Sequence, residues 1–242
     1  MHKEVSTYQR LQNELRDIIE ISPRGTKLPS EPKLAEQLGV SRATLREAMR
    51  MFEGQGLVRR KQGVGTFVVK PSQIIKAGLE VLESIDTLAK KVNLDIIMED
   101  LKIDHFNASE TQAEELCLSV GDPIIEISRV ILADRFPVAY LVDVLPEHII
   151  PPYMFDNKFT GSVLDLLIKM GSPTLSKSVA DISAVHAETQ VAKVLNIQRG
   201  DTLLLLSGLL FDNKDHPVDF SHTYLLPGYF RLQVKRKIGS VN

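Results

Sequence analysis

Two short amphipathic segments separated by one glycine and one valine narrow the fold more than anything else in this chain. In "EPKLAEQLGVSRATLREAMRMFEG", Leu34, Ala35 and Leu38 fall on one side of a first helix that stops at Gly39, and Ser41 is placed to cap the next. In that next helix Leu45, Ala48, Met49 and Phe52 recur at helical spacing and form a single apolar face. Helices joined so tightly have the form of a helix-turn-helix. Arg42, Arg46 and Arg50 stand four residues apart on a different face, with Thr44 and Glu47 to the sides. Glu47 and Glu53 are each three residues from Arg50, but neither is three or four from Arg42 or Arg46. The helix by itself therefore leaves those two cations unneutralised. A basic edge on the second helix of such a motif predicts a surface that enters the DNA major groove.

The flanking residues extend the unit. Tyr8, Leu11, Leu15, Ile18 and Ile19 predict a first helix from about Thr7 to Ile21, ended by "SPRGTKLPS". Ser30 is the expected N-cap of the following helix, with Pro32 tolerated in its first turn. After Gly54 and Gly56, "LVRRKQ", "GVG" and "TFVV" predict strand, tight turn, strand. Arg59, Arg60 and Lys61 sit beside the turn, where a small wing touches the sugar–phosphate backbone or the minor groove. Gly63 and Gly65 allow positive φ there. Because an isolated hairpin is marginal, Leu57, Val58, Phe67 and Val68 are expected to pack it on the helices.

The net charge of −2 over 242 residues hides a division. Residues 1–76 carry 14 Lys/Arg against 8 Asp/Glu, a net of +6, and the remainder carries 15 against 23, a net of −8. A basic module with an anionic partner is thus joined to an acidic one. The single cysteine, Cys117, excludes an internal disulfide framework and a multi-cysteine zinc site. No signal-peptide core and no apolar run of membrane-spanning length is seen, so a cytoplasmic protein is expected. "KPSQ" at 70–73 reads as a linker, giving a reading head over 1–69, a linker over 70–76 and a second domain over 77–242.

The second domain mixes strands with helices. Helices are predicted over Leu79–Lys91, 109–118, Gly161–Met170 and His186–Leu195. Strands are predicted at about 95–105, 124–133, 137–145 and Lys177–Ala184. "TLLLLSGLLF", "PVDFSHTYLL" and "YFRLQVKRK" follow as three antiparallel strands, with "DRFP" and "DNKDHP" as turns. Helices segregated from an antiparallel sheet make an α+β domain.

"LPSEPKLAEQLGVSRATLREAMRMFEGQGLVRRKQGVGTFV" resembles the winged-helix domain of GntR-family bacterial transcription regulators. The remainder resembles the HutC-type subfamily, whose C-terminal effector-binding domain is called UTRA, through "VGDPIIEISRVILADRFPVAY", "GSVLDLLIKMG", "AVHAETQVAKVLNI" and "PVDFSHTYL". The resemblance implies a winged helix-turn-helix followed by an antiparallel-sheet domain like that of chorismate-lyase-type enzymes. It also implies a homodimer formed through the UTRA domains, a double-stranded DNA operator and a small-molecule effector. Residues and resemblance together give a DNA-binding set of Ser30, Lys33, Ser41, Arg42, Thr44, Arg46, Arg50, Lys61 and Gly63. Many relatives have arginine directly after the "LPSE" glutamate where this chain has Pro32, so that contact is either missing or supplied by Lys33.

For the effector, the resemblance points to Arg129, Ser162 and Asp219; Tyr224, further along the strand of Asp219, is added as a pocket-lining group, and Ser84, in the first UTRA helix, as a donor to an anion. Here the family's Arg-x-Arg pair is reduced to Arg129 and Ile131, and Leu141 and Leu164 stand where relatives carry glutamate and tyrosine. A pocket with one guanidinium and apolar neighbours suits a carboxylate-bearing or partly apolar metabolite better than a phosphosugar. Arg129 is either that guanidinium or a structural ion-pair partner. The six histidines show no metal-ligand spacing, and no nucleophile–base pair stands out, so neither a metal, nor another cofactor, nor an enzymatic activity is expected.

Overall fold

The computed structural model of the chain describes residues 6–61, 63–69, 73–155, 159 and 161–237. The head is built from α1 (Thr7–Ile21), α2 (Glu31–Gln37), α3 (Arg42–Gly54) and a hairpin of β1 (Val58–Lys61) and β2 (Gly65–Val68). Leu11, Leu15 and Ile19 of α1 recur every four residues, so they share a face and meet Leu45, Ala48 and Phe52 of α3 in one core closed by Val58 and Val68. Gly39 takes φ +62° in the turn between α2 and α3, a conformation that costs glycine little. Ser41 caps α3, its Oγ accepting from the Thr44 N–H at 3.1 Å. Ser30 holds the N-cap position of α2 without a side-chain cap bond. The hairpin gains a partner that the sequence pattern does not announce. Gly25 and Leu28 donate to the Val68 and Thr66 carbonyls, and Val68 donates to Thr26. An antiparallel bridge from Lys27 to Phe67, with these flanking bonds, thereby supports a wing that two strands alone would leave marginal.

The second domain contains β3 (Ile75–Gly78), α4 (Ile85–Lys91), β4 (Ile96–Asn107), α5 (Glu110–Leu116), β5 (Pro123–Ala133) and β6 (Phe136–Pro146). After a 3-10 turn at Pro152–Phe155 come α6 (Val163–Met170), β7 (Leu175–His186), α7 (Thr189–Val194), β8 (Thr202–Asp212), β9 (Pro217–Leu225) and β10 (Phe230–Gln233). Six strands form an antiparallel sheet in the order β4-β5-β6-β9-β8-β7.

Three expectations are corrected here. "YFRLQVKRK" does not extend that sheet: β10 pairs in parallel with β3 in a separate two-stranded sheet. The chain turns away at Pro227–Gly228, where Gly228 takes φ +95°. Ile75 and Lys76, read as linker, are the first residues of β3, with Ile75 fully buried. Residues 70–72 of the predicted linker lie outside the described residues. The helix predicted from Leu79 starts only at Ile85, because Ser84 caps it through the Thr87 N–H and leaves Leu79, Val81 and Leu82 exposed before it.

Strand alternation sorts the core. On one face β5 presents Ile125, Ile127, Arg129, Ile131 and Ala133. The helix α6 covers the Ile125–Ile127 end with Val163, Leu166 and Leu167, and α4 covers the Ile131–Ala133 end with Leu88 and Ala89. On the opposite face Ile124 lies under α5 and Val130 and Leu132 under α7. Arg129 thus falls in the seam between two apolar clusters.

The head is docked on the second domain through two arginines and two glycines. Arg24 pairs with Asp134 at 2.6 Å, and Arg59 Nη2 donates to the carbonyls of Leu195 at 2.7 Å and Pro137 at 3.1 Å. Both guanidinium groups lie against the Phe136 ring, 5.9 and 5.8 Å from its centroid. A Cβ on Gly228 would stand 2.1 Å from the Gln55 carbonyl oxygen, and one on Gly56 would stand 2.8 Å from the Pro227 oxygen. Gly228→Ala must therefore move backbone and strain a positive φ. It is expected to weaken docking by about 1–3 kcal/mol, seen in calorimetry as an earlier, separate melting of the head.

Candidate nucleic-acid interface and polar seam

The N-terminal end and outer side of α3 carry most of the predicted DNA contacts. Ser41, Arg42, Arg46 and Arg50 are exposed and Thr44 is half-buried, while Ser30 and Lys33 are exposed at the start of α2. Gly63 is exposed at the hairpin turn with φ +73° and open space where a Cβ would stand. The backbone of Lys61 pairs with Gly65 at the last rung before that turn. The Ser41 and Thr44 hydroxyls are 2.8 Å apart, fixed together at the first turn of the helix.

Arg46, left unneutralised within its own helix, finds its partner in the tertiary structure. Glu31 of α2 accepts from Arg46 Nε at 2.7 Å through Oε2 and pairs with Arg60 Nη2 at 2.6 Å through Oε1. One carboxylate therefore ties α3 to the wing. It occupies one Arg46 nitrogen and leaves both Nη groups, so the planar fork is held in orientation rather than consumed. Arg46 and Arg50 line a groove with Arg60 and Thr66 of the hairpin, and Gln198 of the second domain reaches its edge. The "LPSE" glutamate was the sequence signal for this clamp, but no local spacing joins it to residues 15 and 29 positions away. Arg59 departs from the expected wing role: it is 8% exposed and turned into the second domain.

Four of the five predicted effector residues converge on the seam. Arg129 is 2% exposed; it pairs with Asp143 and donates from Nε to the Gly161 carbonyl at 2.5 Å. Arg129 therefore holds an ion pair within the seam, which any ligand anion reaching it would have to share or displace. Gly161 leads into Ser162, which caps α6 by accepting from the Asp165 N–H at 3.0 Å. Asp165 in turn accepts from Ser84 Oγ at 2.7 Å, joining the starts of α4 and α6. Asp219, on β9, is buried beside Asp143 and hydrogen-bonded to it. Asp143 and Asp165 were missed in the sequence; each becomes evident only when two strands or two helices are aligned. The apolar departures Ile131, Leu141 and Leu164 pack into the two clusters that flank the seam.

Tyr224 is separated from this group. Residues 219, 221 and 223 alternate to the Arg129 face, whereas Tyr224 pairs opposite Tyr140 on the other face and stacks on it at 6.1 Å. Its hydroxyl is raised by burial, then by Glu188 and Tyr140. Membership of the same strand was therefore a misleading cue.

Burial pushes the Asp219 carboxyl well above the usual range, and the neighbouring Asp143 adds to the shift against the opposing Arg129 charge. The folded state then holds a proton that the unfolded chain has lost. Stability contributed by protonated Asp219 is present below about pH 4 and declines as pH rises toward the raised value. Asp219→Asn keeps shape and hydrogen bonding without the charge. Its stability relative to the unsubstituted protein should climb with pH over that range, by at most about 1.4 kcal/mol per pH unit, as read by urea unfolding at several pH values.

Comparison with known proteins agrees with this architecture. Residues 5–68 match the family described as bacterial regulatory proteins, gntR family, and residues 93–231 match the UTRA domain. The chain is 31% identical over 181 residues to the HTH-type transcriptional repressor NagR of Bacillus subtilis, covering 74% of this chain and 72% of that protein. It is 26% identical over 222 residues to the histidine utilization repressor of Klebsiella aerogenes, covering 88% and 86%. The crystal structure of PhnF from Mycobacterium smegmatis superposes with a TM-score of 0.64 at 22% identity, over 95% of this chain and all of that one. With a gntR-type head whose arginine-bearing helix faces outward and a UTRA domain over more than half its length, the chain belongs to the GntR family of bacterial transcription regulators.

Proposed function

We propose that this regulator is a ligand-responsive repressor that binds a palindromic operator as a homodimer in the cytoplasm. The observation that carries the reading is the outward row of Arg42, Arg46 and Arg50 on a Ser41-capped helix, with Arg46 oriented by Glu31 beside the wing. A guanidinium fork held in place is suited to guanine O6 and N7 in the major groove. Ser41 and Thr44 suit phosphate near the helix N-terminus, and Lys61 and Gly63 suit the backbone and minor groove at the wing. The names of the NagR and histidine utilization relatives as repressors support the sign of regulation.

The effector reading places a small molecule at the seam of Ser84, Arg129, Ser162 and Asp219, and sets Tyr224 aside. Sensing rather than turnover is supported by how the seam groups are engaged: Asp143 is paired with Arg129 and Asp165 accepts from Ser84. A carboxylate-bearing or partly apolar effector competes with Asp143 for Arg129 and meets the leucines around it. Such a ligand acts on DNA binding only by preferring the arrangement of heads that does not fit the operator.

Homodimerisation is supported by β7, a 12-residue edge strand with Val179 59% and Ile182 43% exposed. A long bare edge of this kind calls for a cover, and a second copy supplies one. Light scattering should give a dimer mass, reduced to a monomer by Ile182→Lys. On a fragment of the chain's own upstream promoter, Arg46→Ala should cost about 1–3 kcal/mol of specific binding by fluorescence anisotropy. Lys61→Ala should weaken all sequences alike and lower the salt slope by about 1. Normal binding by both variants defeats the docking.

A further inference from the structure

Apart from the seam, one place in the molecule brings together a cavity, a buried cation without a carboxylate in contact and an unsatisfied buried hydroxyl. It is the junction of the two domains. A cavity of about 220 Å³ opens between the end of α3, the base of the wing, the loop 196–202 and the turn before β10. That is far more than the roughly 15 Å³, measured on the same basis, that a single water needs. Its apolar wall is Val58, Val69, Ile197 and Leu226.

The polar groups on its wall are unequally served. Arg59 makes two bonds to carbonyls through Nη2, and among the described residues no carboxylate pairs with it within 4.0 Å. Tyr229, 3% exposed, has a buried hydroxyl with no hydrogen-bond partner; among the described residues the Asp219 Oδ1 is the one other buried side-chain atom in that state. Arg60, by contrast, is already held by Glu31. Asp201 and Glu53 act on the Arg59 charge without pairing with it, and a buried guanidinium with no carboxylate in contact and a buried hydroxyl lacking a partner are both costly unless something supplies the missing contacts.

We propose that the junction cavity is a second ligand site that takes a small organic carboxylate with an apolar body. The carboxylate is received by Arg59 and Tyr229, and the body by the Val58–Leu226 wall. Because the walls come from both domains, the occupant fixes the reading head against the UTRA domain. The site is separate from the seam, and binding there does not depend on the operator reading.

Glu53 of α3 gives the site a signature. It faces Arg50 on its own helix, Arg60 on β1 and Asp201 on the loop before β8, with Arg59 and Tyr229 on the same cavity wall. Burial first, then the Asp201 charge, raise its carboxyl to about 7 against the pull of Arg60 and Arg50. A ligand carboxylate pushes it higher, so binding takes up a proton. From an unliganded value of about 7, affinity should be about tenfold tighter at pH 6 than at pH 8.

The test is a fluorine NMR titration of the full chain with 4-fluorobenzoate, which stays ionised at both pH values, and with the uncharged 4-fluorobenzamide. Saturable binding of the acid, with the amide at least tenfold weaker, is expected. Glu53→Gln should abolish the pH dependence and retain the tighter affinity at both values. Tyr229→Phe should weaken binding severalfold. Gly54→Leu, whose Cβ enters open space at the cavity wall, should fill the site and remove binding while the thermal melt stays intact. Absence of saturable binding at pH 6 overturns the proposal. So does binding that survives Gly54→Leu and Tyr229→Phe unchanged, since the probe then sits elsewhere.

Discussion

The placement of everything else follows from a cation that leaves its own domain. Arg59 grows from the first strand of the wing, where the sequence gives it the look of a phosphate contact, and ends buried among the carbonyls of Leu195 and Pro137. Burial lowers its pKa, yet a guanidinium keeps its charge, so it must be solvated by dipoles. Two carbonyls and the Phe136 ring do this from the second domain. Removing them would strand the charge, which is why the wing base, the β5–β6 turn and the end of α7 hold together. The close backbone approach of Gln55–Gly56 to Pro227–Gly228 is possible because glycine occupies both sides.

That docking determines what each domain can feel of the other. The end of α3 that carries Arg50 and Glu53 abuts the loop ending at Asp201, so the reading helix and the UTRA domain share a wall. Contact of this kind, rather than a free tether, is the arrangement through which the proposed sensing would be coupled to reading.

The seam of the UTRA domain shows a second economy of charge. One face of β5 would be continuous aliphatic packing but for Arg129, which pairs with Asp143, and beside that pair Asp219 is raised first by its own burial and then by Asp143. Charges buried in a core seldom add stability over an apolar replacement, and they persist where they specify a site. The helix starts at Ser84 and Ser162 are tied across the same seam by Asp165, so polarity there is concentrated where two apolar clusters meet.

Much of this was open to reading from the chain alone. Helical spacing gave α1 and α3 their faces, Gly39 and Ser41 gave the turn, and alternating apolar residues gave the long strands of the sheet; these are local properties, decided by backbone periods and caps. The family motifs carried the head and the UTRA domain for the same reason. What only the tertiary structure decided is which residues meet across distance. Glu31 reaches Arg46 and Arg60, and Arg129 finds Asp143. Tyr224 falls one position out of phase with Asp219 and so faces the other way. The last strand runs beside β3, parallel, instead of joining the main sheet. Local sequence sets the period of each element, but pairing, partner and side depend on register and packing between elements, and those are fixed only when the whole chain closes on its core.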